Sequence, residues 1–189
     1  MVSDTVQDIN QVVHNVGMAA WVGGTMFGQF AHNPSLRRIS SPAERGAVSN
    51  AAWNTYNAIN AASLAVVGAG HVAGRLTELR TSNLSEREKP LVRAMDVLTA
   101  AGVVTGVLNG VQGARLARQA PDGAVPIQTG LRPAPETPRQ ARHIQRSLSV
   151  LGPINLLCGI GLVASTGLFW RSAVSRPPMR RALRRRARR

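Results

Sequence analysis

Between Val12 and Ala31 the chain reads VVHNVGMAAWVGGTMFGQFA, twenty residues without a charged side chain or a proline. A helix of that length rises about 30 Å, the thickness of a bilayer's hydrocarbon core, so the stretch predicts a membrane span. With His14 at zero and a turn of 100° per residue, Gly17, Trp21, Gly24 and Gly28 fall within roughly 80° of it. Lipid gives no hydrophobic reward for pressing apolar helices together, so helices meet through glycines and through polar side chains that bond across. This small, faintly polar face is expected to point into a bundle, with Gly24 and Gly28 as packing positions.

Three more helices follow. Asn33-Pro34 is expected to end the first, because proline lacks a donor and disfavours helical geometry in the residue before it. Ser41-Pro42-Ala43-Glu44 reads as a capping box opening a second helix that runs to about Gly74. On it Asn50, Asn54, Asn57, Asn60 and His71 lie between about +40° and −80°, an interhelical polar face that cannot be turned to lipid. A second capping box, Ser85 to Glu88, opens a third helix whose Gly102, Gly106 and Gly110 form two overlapping GxxxG motifs, predicting close packing. Residues 114–137, rich in proline and polar side chains, predict an irregular, mobile, solvent-exposed connector. A fourth helix starts near Pro138 and crosses as SLSVLGPINLLCGIGLVASTGLF, with Pro153 as a kink. The fold class is therefore an all-α membrane protein. Four transmembrane helices form an antiparallel bundle over 1–174, with spans near 12–31, 50–73, 92–113 and 148–170, before a basic C-terminal tail over 175–189.

Charge agrees with this division. Charged residues are 17% of the chain, against about 25% in soluble domains, yet the net charge is +14 and the only lysine is Lys89. The basic residues divide as three, five and six in the successive connectors and nine in the tail. Four spans put both termini on one side, and the positive-inside rule places them in the cytoplasm, with the second connector. The third connector, with six arginines, runs against that rule. The N-terminus has Asp4 and Asp8 but no basic start or small-residue cleavage site, so the first span is expected to be retained. A single cysteine, Cys158, excludes an internal disulfide or a cysteine metal cluster and reads as a small packing residue.

The strongest chemical constellation comes from topology, which brings His14, His71 and Asp96 to similar depth on one membrane side. Two imidazoles and a carboxylate could hold a divalent metal, relay protons or, through the histidines alone, ligate haem. The simpler expectation is no cofactor, with water and interhelical bonds satisfying all three. In the tail, Arg180, Arg181, Arg184, Arg185, Arg186, Arg188 and Arg189 are expected to lie on anionic lipid headgroups. No folded reader or aromatic platform accompanies them, which argues against nucleic acid as a partner. The chain contains no GxSxG, Walker loop, HExxH, CxxC or dinucleotide fingerprint. Two function classes remain: a structural or regulatory plasma-membrane subunit packing on another membrane protein or on itself, and a small transport, metal-binding or redox protein using the His/Asp cluster. His14-Asn15, Gly17-Met18-Ala19, Trp21 and Gly23-Gly24, with the helical run into SVLGPINLL, give the chain a pattern that resembles uncharacterised four-helix membrane proteins of actinobacteria. That resemblance implies the four-span architecture and no activity.

Overall fold

The structure is a computed structural model and describes residues 4–77 and 79–174. Four long helices are connected in sequence: α1 (Asp4–Phe27), α2 (Pro42–Leu76), α3 (Glu88–Ala117) and α4 (Arg139–Val174). Neighbours run antiparallel, since Gly70 lies against His14 while Gly28 lies against Trp53, and Gly161 lies against Leu98 while Ser147 bonds Gln112. The seven tail arginines from Arg180 to Arg189 fall outside the described residues.

The helix starts follow their local chemistry. Ser41 Oγ accepts from the Glu44 N–H at 3.4 Å, with Pro42 in the first turn where a missing donor costs nothing. At the third helix only the reciprocal half of the capping box forms: Glu88 Oε2 accepts from the Ser85 N–H at 2.8 Å, and the helix begins at Glu88. Pro153 lies inside α4 without ending it.

Two expectations about backbone fail. Asn33-Pro34 does not stop the first helix. After Phe27 the backbone widens into a π turn over Gly28–His32, resumes α geometry over Asn33–Ser35 and tightens into a 3-10 turn over Leu36–Arg38. The Asn33 N–H bonds back to Gly28 O, so the ladder has already shifted register before it reaches the residue that has no N–H to donate. The 114–137 connector is likewise folded and partly buried. A 3-10 turn at Pro121–Gly123 leads into a short antiparallel hairpin, β1 (Ile127–Thr129) and β2 (Arg132–Pro133), whose Val125, Ile127, Thr129 and Ala134 are buried against the bundle end. The chain comes so close to α2 there that a Cβ at Gly46 would overlap the Val125 carbonyl oxygen. Asp122 and Gly123 take positive φ, 53° and 66°, to turn the segment back over the bundle.

Packing uses the glycines differently from the expectation. They do not mainly bring backbones together; they are sockets for rings. Trp21, 1% exposed, seats over Gly102 and also contacts Gly159; Trp53 fills the space at Gly28 and Tyr56 that at Gly24. Gly106 takes Leu64, whereas a Cβ at Gly110 would meet nothing within 4 Å, so Gly110 is not a packing position. Met18, Trp21, Leu64, Val67, Met95 and Leu162 form the central apolar layer.

All four helices were expected to cross a bilayer. By length and composition two qualify, α3 over its full extent and α4 over Arg139–Ser172. The first two helices carry Asn, Ser, Thr and Gly on their inward faces, which dilutes their apolar content.

The sockets predict opposite outcomes at two glycines on one helix. Gly102→Val should drive a side chain into the Trp21 ring and destabilise by about 1–3 kcal/mol. Gly110→Ala, with open space, should be neutral or stabilise by up to about 1 kcal/mol through helix propensity. Thermal unfolding of the purified variants checks both.

Candidate functional site

The interior is polar at both ends and largely apolar between them. Toward the end formed by α1's last turns and α2's start lies a cavity of about 120 Å³. It sits there because the π turn of α1 delivers Gln29 and Asn33 inward, while α2 presents Asn50, Asn57 and Asn60 at helical spacing. α3 adds Asn109 and α4 adds Gln145 and Asn155. Trp53 and Tyr56, ring centroids 5.8 Å apart and edge to face, supply an aromatic wall. The hairpin covers the opening, with Gly123 seated on the Asn50 side chain and Gly130 on Asn33. Arg45 ties the cover to α2 by donating to Gln128 O at 3.3 Å, and Gln145 Nε2 donates to Thr129 O at 3.1 Å. Of the four asparagines on the predicted polar face, three line this cavity; Asn54 is exposed and donates only to Asn50 Oδ1, at 3.4 Å.

A hydrogen-bonded knot closes the cavity's inner end. Asn155, 2% exposed, accepts from Trp21 Nε1 at 2.8 Å through Oδ1 and donates through Nδ2 to Gly102 O at 2.8 Å and Thr105 Oγ1 at 2.9 Å. Both its amide hydrogens and its oxygen are engaged in joining α1, α3 and α4, so its role is structural. Sequence reasoning passed over Asn155 as one amide inside LGPINLLCG; the available signal was its isolation, because a lone carboxamide in an apolar span must find partners on neighbouring helices.

The His/Asp group lies at the opposite end. His14 and His71 are buried, 8% and 7% exposed, and both line a second cavity of about 310 Å³ together with Asn10, Gln11, Thr77 and Phe169. His71 Nε2 is 2.7 Å from Asp96 Oδ1, and Arg75 Nε is 3.2 Å from the same oxygen. Asp96 is thus held by an imidazole and a guanidinium. The His14 ring packs on Gly70, and its Nδ1 finds no hydrogen-bond partner among the described residues. The predicted trio is therefore gathered at one end, but only His71 and Asp96 bond each other. Among the described residues no group of three His, Cys, Asp or Glu side chains is arranged to hold a metal ion. An imidazole–carboxylate pair with a guanidinium alongside can hold and pass a proton.

Compared with protein-family models, curated proteins and solved structures, the chain matches none of them.

The knot predicts a measurable coupling. Asn155→Leu should leave the Trp21 N–H without an acceptor inside the protein and cost about 1–3 kcal/mol. In a double-mutant cycle with Trp21→Phe, the two losses should be non-additive by about 0.5–3 kcal/mol, read from chemical or thermal unfolding.

Proposed function

We propose that the chain is a four-span integral membrane protein acting as a structural or regulatory subunit of the plasma membrane. The observation that carries this reading is the apolar outer surface, which surrounds an interior holding both an apolar core and many polar side chains. Buried positions hold His14, Thr25, Asn33, His71, Gln145 and Asn155, while large apolar side chains face outward along every helix. Phe30 is 71% exposed and Leu157 66%, with Val16, Ile59, Val97 and Val104 similarly bare. In water so many bare apolar side chains would be an association or aggregation hazard; in lipid they are the solvated face.

Charge placement supports four crossings rather than two. No Asp, Glu, Lys or Arg occurs within residues 9–36, 46–74, 97–114 or 147–170, and each of these stretches lies mostly on one of the four helices. At 1.5 Å per residue even the shortest spans about 27 Å. Much of the polar content of the first two helices, among it His14, Thr25, Ser49, Ser63 and His71, is buried between helices, while Asn15, Asn54 and Thr55 are exposed. In the proposed orientation the termini and the Arg75–Arg93 connector face the cytoplasm and the hairpin faces outward. The tail arginines then meet the anionic leaflet, each cation contributing about 1 kcal/mol near the surface. Partners in this reading are lipid, and a second copy or another membrane protein.

Labelling tests the topology. In a Cys158→Ala background, Arg132→Cys at the hairpin should react with a membrane-impermeant maleimide in intact cells, and Ser82→Cys only after permeabilisation. The reverse pattern inverts the orientation; labelling of both from one side removes the four-span arrangement.

A second reading, a proton- or metal-handling protein, is favoured by one observation, the 2.7 Å His71–Asp96 contact beside a second buried imidazole. Protein purified in mild detergent and examined by absorbance and metal analysis separates the two. The subunit reading expects no haem band and no stoichiometric metal; near-equimolar metal or haem that disappears in His14→Ala would establish the other.

A further inference from the structure

We infer that the cavity beneath the hairpin is a binding site for a small, uncharged, hydroxyl-rich solute about the size of a three-carbon polyol. Its lining contains eight carboxamide side chains and not one charged side chain. That composition selects against ions, which would need opposite formal charge or a complete oxygen shell once stripped of water. It also selects against an apolar guest, which would leave buried amides facing groups that cannot bond them.

Carboxamides offer a donor and an acceptor side by side. A hydroxyl also donates and accepts, so neighbouring hydroxyls on a short carbon chain match a wall of amides one for one. Urea, with four donors and a single acceptor, does not. Part of the site's capacity is unspent: the Asn60 and Gln145 carboxamide oxygens have no hydrogen-bond partner among the described residues. Asn155, by contrast, is fully engaged. The Trp53–Tyr56 wall gives the C–H side of a polyol an apolar surface to lie on. Size is consistent as well. At about 120 Å³ the cavity approaches the roughly 150 Å³ that accommodates a guest of six heavy atoms.

Position 113 provides a clean probe. Gly113 lines the cavity, and a Cβ there would meet only Asn57 Nδ2, at 3.9 Å. Gly113→Leu should therefore fill the space without displacing backbone. Asn109→Ala keeps the space and removes one of the lining amides.

The experiment is saturation-transfer NMR on the full chain, purified without glycerol, with glycerol and urea as probes and protein-free detergent micelles as blank. Glycerol should saturate on the wild type and show at least tenfold weaker binding to Gly113→Leu. Asn109→Ala should weaken it several-fold, which keeps the test valid should Gly113→Leu fail to fold. Glycerol signal no stronger than the micelle blank, equal binding by folded Gly113→Leu and wild type, or urea saturating as strongly as glycerol would each overturn the inference. None of these outcomes depends on how many helices cross the membrane.

Discussion

The interior of this bundle buries many polar side chains beside its apolar core, and each such group must be paired by a neighbouring helix or left at a cost of about 1–3 kcal/mol. Asn155 is where that constraint is met most completely. One carboxamide joins three helices: it receives the Trp21 indole N–H and donates to the Gly102 carbonyl and the Thr105 hydroxyl. The indole can reach it only because Gly102 and Gly159 leave room for the ring. Tyr56 repeats the device on α2, its hydroxyl donating to the Ala20 and Trp21 carbonyls 3.0 Å away while its ring occupies the space at Gly24. Rings seated on glycines and polar atoms bonded at their tips hold the helices in register.

The same requirement shapes the ends. An amide-lined chamber needs a wall on its fourth side, and the hairpin supplies it by pressing Val125 and Ile127 onto the bundle while its glycines settle on Asn50 and Asn33. The opposite chamber is closed by side chains instead, among them Thr77, Leu79 and Trp170. Arg75 reaches both the Leu79 carbonyl oxygen and Asp96, so the turn after α2 is tied to the imidazole–carboxylate pair.

Sequence periodicity located the helices and the inward faces well, because glycines and amides recur at helical spacing and their angles can be computed. It placed His14 and His71 correctly inward and three of the four α2 asparagines on the cavity. It misjudged what the glycines do, since GxxxG spacing marks a groove without saying whether a backbone or a ring fills it; Gly102 and Gly110 share a motif and have opposite surroundings. The connector misled for a different reason. Its proline and glycine content resembles a flexible linker, but Val125, Ile127 and Thr129 alternate with Pro126 and Gln128, a period-2 pattern too short to stand out. Gln29 and Asn33 reach the cavity through a π turn, a local change of helical pitch that a fixed 100° rotation cannot reproduce.

The apolar layer around Trp21 would have an electrical consequence in a membrane. It separates two polar chambers that share no lining residue, one holding His14 and the other Thr25. Those two residues are eleven positions apart on α1, a rise of about 16 Å, roughly half of a bilayer's hydrocarbon thickness. A cavity lined by amides or imidazoles is more polarisable than the apolar layer between the two, and so supports less of a voltage drop. Were the bundle to cross a membrane as proposed, the potential would fall more steeply across the apolar layer around Trp21 than across the polar chambers on either side of it.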